Sequence, residues 1–242
     1  MKPIKLDGYL EQIRKSCIDM LDAALKQPML SPKFNLSIDL KDILPIPTSK
    51  AEVIFTATAF AKLISMVSYD NREVAVHGSV SRCEALDPAN AGFLVDDVFI
   101  YPQEVTAATV EASDTYGYWI ARLPEDTFNR LRFQAHSHVN MGVAPSSTDT
   151  TFYNKLMLEV QDFYIFLIIN KRLEMWCEIY DIENNTLYET ADISTMVIYS
   201  AAPDDNSSAF RACLKEQVVT RVYTPPVASA EKKITTATLE LP

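Results

Sequence analysis

The sequence predicts an α/β or α+β fold, in which helices flank a mixed β-sheet and a helical extension precedes the main domain. Apolar residues recur at helical spacing in some segments and alternate with polar residues in others. These two kinds of segment are interleaved along the chain, which is typical of one layered α/β domain. With 242 residues, 48% of them hydrophobic, the chain can bury a core of ordinary size.

The N-terminal segment separates into a helix and a linker. Apolar residues three and four apart predict an amphipathic helix over residues 6–27. Four prolines between Pro28 and Ser49 then predict an extended linker. We therefore assign residues 1–47 to an N-terminal extension and residues 48–190 to the core domain.

The first half of the core domain should alternate between strands and helices. Glu52 to Phe55 predicts a strand, and Thr56 can cap the helix that follows. Residues 73–80 alternate, so that Glu73 and His77 lie on the face opposite the valines. Further strands are expected at residues 93–101 and 105–112, followed by a short helix that opens at Pro124.

The second half repeats this alternation. A strand at Phe133 to His138 precedes a helix that Ser147 or Thr148 could cap and that runs to about Val160. The nearly continuous apolar run from Phe163 to Ile169 is typical of a strand buried on both faces. Two more strands are expected at residues 173–180 and 187–190. Residues 191–242 are assigned to a C-terminal extension, with an aperiodic tail after Pro225.

Charge and cysteine usage narrow the classes of function. The 32 acidic and 22 basic residues give a net charge of −10, which disfavours nucleic acid as a partner. The four cysteines form no Cys-x-x-Cys pair, so we expect neither a disulfide framework nor a cysteine zinc cluster. They suit the reducing cytoplasm. No apolar stretch suggests a signal peptide or a membrane partner.

One segment, residues 136–149, contains the candidate metal ligands. His136, His138, Ser146 and Asp149 follow the pattern His-x-His, seven residues, Ser-x-x-Asp. Residues two apart on a strand share a face, so the two imidazoles can bind one ion, and Asp149 in the first turn of the next helix can be the third ligand. Three protein ligands leave a position for water, which is the arrangement of a catalytic Zn²⁺ site.

Hydrolysis at such a site also needs a proton carrier and a group that stabilises negative charge. Glu73 is the preferred carboxylate, with Glu52 and Glu84 as fallback candidates. Ser146 could donate a hydrogen bond to the developing oxyanion, although serine before a helix is more often a cap. His77 is left out of the metal set, because a single histidine in a strand usually belongs to the rim or the core.

At these residues the sequence resembles the JAMM family of zinc metalloproteases, also called MPN-plus or JAB-domain proteins. Their pattern is an upstream Glu followed by His-x-His-x7-Ser-x-x-Asp, and the resemblance spans about residues 52–180. It implies a JAB/MPN (cytidine deaminase-like) architecture and zinc ligands at His136, His138 and Asp149. It also implies an oxyanion-stabilising Ser146 and a catalytic Glu73. The sequence is nearer to bacterial, archaeal and phage members than to eukaryotic ones.

The expected function is that of a zinc-dependent metallopeptidase or isopeptidase acting on a protein or peptide. The C-terminal tail of a ubiquitin-like or sulfur-carrier-like protein is the substrate that the resemblance favours. The alternative is a non-catalytic MPN-type interaction module, but such proteins typically lack one or more metal ligands. A zinc-stabilised assembly or DNA-processing accessory protein is a third possibility, which the acidic charge and the open metal position disfavour.

Overall fold

The computed structural model describes residues 2–5, 9–26, 50–106, 109–198 and 207–221. The strands are β1 (Lys2–Pro3), β2 (Ala51–Thr56), β3 (Ala75–Cys83), β4 (Ala91–Ile100), β5 (Gln103–Val105), β6 (Val110–Ala112), β7 (Leu131–Ser137), β8 (Phe163–Ile169), β9 (Met175–Asp181), β10 (Thr186–Tyr188), β11 (Ile193–Ile198) and β12 (Val218–Thr220). The helices are α1 (Leu10–Leu25), α2 (Ala57–Tyr69), α3 (Tyr116–Ile120), α4 (Glu125–Asn129), α5 (Ser147–Leu156) and α6 (Ser207–Gln217).

Most of these strands form one curled mixed sheet flanked by helices, which confirms the predicted fold class. Within the described residues the sheet has nine strands, in the order β1-β10-β9-β8-β7-β3-β4-β2-β11. The pairs β7–β8, β2–β4 and β2–β11 are parallel, and the remaining pairs are antiparallel. Strands β12, β5 and β6 form a second, small sheet.

One face of the large sheet carries the main hydrophobic core. Alternate residues of β3, β7 and β8, such as Val76, Phe133 and Leu167, are fully buried there. Helices α2 and α6 cover this face and contribute Leu63 and Leu214, which are also fully buried. Burying an aliphatic or aromatic side chain of this size stabilises the fold by about 1.5–3 kcal/mol.

The opposite face of the central strands supports the candidate site. Helix α5 packs there through Tyr153, whose ring stacks on Phe166 of β8 with 3.9 Å between ring centroids. Tyr164 belongs to the same smaller cluster. The sheet therefore has an aliphatic face under α2 and α6 and an aromatic face under α5.

Three local predictions were wrong. Residues 105–112 were expected to form one strand, but they include parts of two antiparallel strands, with Val105 paired to Val110. The chain reverses between them, where Thr106 N donates to Thr109 O at 2.9 Å. The helix expected to run to Val160 ends at Leu156, and its cap is Ser146 rather than Ser147 or Thr148.

The segments outside residues 48–190 are described in part. A helix, α1, lies within the predicted range 6–27, whereas the predicted linker at residues 28–49 and the tail after Pro225 lie outside the described residues. In the C-terminal segment, β11 pairs with β2, and α6 places Phe210 and Leu214 in the core. No helix in the described ranges is both long and apolar enough to cross a membrane.

Candidate metal centre

Two central strands bring the candidate residues together. His136 lies on β7 opposite Ala75 of β3, in an antiparallel pair whose opposed side chains share a face. The pairing continues past the start of β3, because Val74 N donates to Ser137 Oγ at 3.0 Å and Ser137 N donates to Val74 O at 2.9 Å. By the same register Glu73, two residues before β3, comes opposite His138.

The donor atoms of His136, His138 and Asp149 form a compact cluster. His136 Nε2 lies 3.1 Å from His138 Nε2 and 3.4 Å from Asp149 Oδ1, and His138 Nε2 lies 3.8 Å from Asp149 Oδ2. Ligands bonded to zinc at 2.0–2.1 Å in a tetrahedron are separated by about 3.3 Å. The cluster therefore has the size that a zinc ion requires, and the described residues supply no fourth His, Cys, Asp or Glu to it.

The turn after β7 fixes the orientation of His138. Its Nδ1 donates to the carbonyl oxygen of Gly142 at 2.7 Å, which leaves the Nε2 lone pair free to face the other two donors. Between His138 and Gly142, Val139 has a φ of 48°, a left-handed conformation that is costly for a β-branched residue. This strained turn brings Gly142 back to the imidazole.

A capping box holds Asp149 at the start of α5. Asp149 N donates to Ser146 Oγ at 3.2 Å, and Ser146 N donates to Asp149 Oδ2 at 2.7 Å. The carboxylate is thus oriented by the backbone while it faces both histidines. The side chain of Ser146 also contacts this carboxylate and helps to hold the pKa of Asp149 low.

The pKa values of the cluster follow from burial and mutual contact. Burial lowers the pKa of His136 to about 4, so this imidazole is neutral at pH 7. The neighbouring Asp149 carboxylate raises the pKa of His138 despite the partial burial of this imidazole. Burial opposes ionisation of Asp149, but contacts with His138 and Ser146 hold its pKa below the ordinary value. A proton bound at His138 would balance the carboxylate, and zinc would have to displace any such proton.

Glu73 is a buried carboxylate beside the cluster. Its side chain is 6% exposed, and burial raises its pKa although the charge of His138 acts in the opposite direction. The fallback candidates lie elsewhere in the described fold. Glu52 accepts hydrogen bonds from Leu86 N and Asp87 N in a loop, and Glu84 is exposed after β3.

Sequence reasoning missed an aromatic cavity next to the cluster. His77 lies outside the three-residue cluster, and its Nε2 is 3.0 Å from the Tyr116 hydroxyl; burial lowers its pKa to about 4. The cavity measures about 380 Å³, and its lining includes His136, Asp149 and Tyr153. Because α3 has only five residues and was not predicted, the available sequence signal was that His77 alternates with Glu73.

A comparison of the sequence with models of protein families finds no match, and neither does a search among curated proteins. The interpretation of the site therefore depends on its residues and their geometry.

Proposed function

We propose that the chain is a zinc-dependent metallopeptidase or isopeptidase of the JAMM type, with the JAB/MPN architecture. The observation that carries this proposal is the cluster of His136, His138 and Asp149, with donor atoms 3.1–3.8 Å apart beside a buried carboxylate outside the ligand set. Zinc held by two imidazoles and a carboxylate lowers the pKa of a bound water to about 7 and polarises a carbonyl group.

Each nearby side chain has a task in peptide hydrolysis. Glu73 takes the proton from the attacking water and delivers it to the leaving amine, and a buried carboxylate with a raised pKa suits both transfers. The hydroxyl of Ser146 donates a hydrogen bond to the carbonyl oxygen of the substrate, which gains negative charge as water adds. Asp149 and His138 stay fixed by their own hydrogen bonds, so the site is organised before substrate arrives.

The surroundings suit an extended peptide. The cavity of about 380 Å³ beside the cluster shares His77, Tyr116 and Phe152 with a larger cavity of about 750 Å³. The two cavities therefore adjoin, and His136 and Asp149 line only the smaller one. We infer that the substrate is the tail of a protein, for which a ubiquitin-like or sulfur-carrier-like C-terminus is the candidate, joined to an amine.

The alternative of a non-catalytic interaction module is less well supported, because such a module does not need three converging donors or a buried glutamate near them. Zinc content and cleavage distinguish the two functions. An interaction module would cleave none of the substrates with or without zinc.

The experiment compares three preparations of the full chain: as purified, treated with chelator, and treated with chelator and then reloaded with zinc. Each is assayed against a panel of fluorogenic peptides and modifier fusions. We expect cleavage that chelator abolishes and zinc restores, and loss of cleavage in Glu73→Gln. Glu84→Gln is the matched control, since Glu84 is an exposed glutamate away from the cluster. Absence of cleavage in the zinc-loaded wild type would contradict the proposal.

A further inference from the structure

The turn that follows β7 is tied to the turn between β8 and β9. We call the first of these, residues 138–142, the ligand turn, because it begins with His138. His138 N donates to Ile169 O at 2.9 Å. Lys171 N donates in the other direction, to Val139 O at 2.7 Å. These bonds extend the parallel pairing of β7 and β8 into both turns, so the turn between β8 and β9 supports the ligand turn.

Asn170, directly after β8, has a fully buried side chain in which every hydrogen-bonding position is occupied. Its Oδ1 accepts from Arg172 N at 3.0 Å and from Glu174 N at 3.1 Å. Its Nδ2 donates to Met141 O at 2.9 Å and to Glu174 Oε2 at 2.6 Å. Because Oδ1 faces two donors and Nδ2 faces two acceptors, the carboxamide fits in this orientation alone.

The two ends of this carboxamide serve different parts of the chain. Oδ1 bonds residues two and four positions further on, which shapes the turn between β8 and β9. An asparagine that only shaped its own turn would need no more than this oxygen. The bond from Nδ2 to Met141 O instead spans 29 residues of sequence and reaches the ligand turn. A role in the hairpin alone does not account for that bond.

Holding Met141 O fixes the backbone directly before Gly142. The peptide group is planar, so a bond to its oxygen sets the orientation of the whole unit that joins Met141 to Gly142. The next carbonyl, Gly142 O, accepts from His138 Nδ1 at 2.7 Å. Both turn residues are exposed, so side-chain packing does little to fix them. The contacts therefore run from Asn170 through Met141 and Gly142 to the imidazole of His138.

We propose that Asn170 is a positioning residue of the candidate metal centre. Its carboxamide holds the ligand turn in the shape that lets Gly142 O bind His138 Nδ1, and Nε2 then faces the metal position. The inference rests on the proposed function, which places zinc at His136, His138 and Asp149. Groups that orient a metal ligand from outside the coordination sphere typically change metal affinity by about 10–100-fold when they are removed.

The test measures the zinc affinity of the full chain by competition with a chromogenic chelator, well below the thermal midpoint of each variant. Asn170→Asp keeps an oxygen for the turn between β8 and β9 but loses the amide donor to Met141 O. Asn170→Ala removes that donor without adding a charge. We expect both variants to bind zinc about tenfold more weakly than wild type. The added carboxylate of Asn170→Asp would by itself favour a cation, so a loss of affinity must arise from the ligand turn.

Asn184→Asp is the matched control. Asn184 lies in the turn between β9 and β10, where its Nδ2 donates to Asp181 Oδ2 at 2.9 Å. Both aspartate substitutions replace an amide donor that faces a carboxylate, so both should lower the thermal midpoint. Only the Asn170 variants should lose zinc affinity. Unchanged affinity in these variants, or an equal loss in Asn184→Asp, would overturn the inference.

Cobalt(II) reports the geometry of the site separately from its affinity. At saturating Co²⁺, the visible absorption of the wild type and of Asn184→Asp should be the same, because His138 is oriented alike in both. Asn170→Asp should give a changed band, since a displaced imidazole alters the coordination geometry. An unchanged band would count against the positioning role. None of these measurements needs a substrate: if zinc affinity falls as expected and the wild type cleaves nothing, the proposed function fails and the positioning role stands.

Discussion

A proton and a zinc ion would compete for the Nε2 lone pair of His138. Nδ1 of this residue is committed to the Gly142 carbonyl, so the added proton must sit on Nε2, which faces His136 and Asp149. Asp149 favours that proton in the metal-free protein and would favour zinc for the same electrostatic reason. The site is therefore prepared for a cation, and Glu73 adds a second carboxylate that does not belong to the cluster.

Replacing Glu73 by glutamine should leave zinc bound and abolish turnover. The amide keeps the shape of the side chain but cannot accept the proton of water, and general-base catalysis contributes about 10²–10⁴-fold to the rate. Zinc content is measured by elemental analysis and turnover by the peptide assay. A variant that keeps full activity would remove Glu73 from the mechanism, and one that loses zinc would show that Glu73 is needed to hold the metal.

The same substitution should change the pH dependence of stability in the metal-free protein. Because burial raises the pKa of Glu73, its contribution to the free energy of unfolding is complete below pH 4.5 and is lost as the pH rises through its folded pKa. Glu73→Gln should lack this loss and be at least as stable as wild type at pH 7. Urea unfolding of both proteins from pH 4 to pH 8 measures the difference, and identical pH profiles would contradict the buried position.

Ser146→Ala should reduce both stability and turnover. Loss of the cap on α5 costs about 1 kcal/mol of unfolding free energy, and loss of an oxyanion donor lowers kcat by about 10²–10³-fold. Ser147→Ala is the control, because the adjacent serine is not the cap. Denaturant titration and steady-state kinetics separate the two effects. Reduced stability with unchanged kcat would leave Ser146 as a cap alone.

At the scale of single residues, the sequence predicted much of the candidate site. His-x-His at the end of a strand and Asp149 in the first turn of a helix were both readable, since strand and helix periods decide where side chains point. It could not decide which of three consecutive hydroxyl residues caps α5, because Ser146, Ser147 and Thr148 are all good caps. Glu73 was expected within a strand. It lies just before β3 instead, and the pairing of Val74 with Ser137 places it opposite His138.

Among the elements, α6 has the largest consequence for domain organisation. It lies in the segment assigned from sequence to a C-terminal extension, yet Leu214 is fully buried among residues of the main core. Strand β11, just before it, pairs with β2 along its whole length. Sequence patterning showed little of this, because an edge strand and an 11-residue helix carry few periodic residues.

Leu214→Ala should lower the free energy of unfolding by about 2–5 kcal/mol, the usual cost of removing a fully buried leucine. Cys213→Ala on the same helix is the matched control, because Cys213 is exposed and its replacement should have little effect. Denaturant unfolding of both variants makes the comparison. Equal stability of the two variants would show that α6 is not part of the cooperative core.

The small elements between β4 and β7 were the hardest to predict. Strands β5 and β6 have three residues each, and α3 has five, so none spans enough residues for a period to be recognised. They nevertheless supply Val110, Glu111 and Tyr116 to the cavity next to the candidate metal centre.

At the scale of the whole molecule, the two faces of the large sheet have different roles. The aliphatic face under α2 and α6 stabilises the fold, whereas the aromatic face under α5 holds the polar cluster and its cavity. Since β3 and β7 contribute to both faces, the core fixes the register that brings His136 opposite Ala75. The sequence predicted the mixed sheet and its helices, but strand order depends on pairings between distant segments that no local pattern encodes.

Zinc should stabilise the folded protein as a whole. A ligand that binds only the folded state at a concentration one hundred times its Kd adds about 2.7 kcal/mol to the free energy of unfolding. In thermal denaturation, zinc should raise the midpoint of the wild type and of Glu73→Gln, but not that of Asp149→Ala. A zinc-induced shift that survives in Asp149→Ala would place the metal elsewhere.

The most direct test of the central claim is a crystal structure of the zinc-loaded protein with anomalous diffraction measured at the zinc absorption edge. We predict one strong anomalous peak, from a zinc ion bonded to His136 Nε2, His138 Nε2 and one carboxylate oxygen of Asp149. Solvent should complete the coordination, and Glu73 should lie nearby without binding the ion. A peak at another place, or a fourth protein ligand in the position assigned to solvent, would contradict the account.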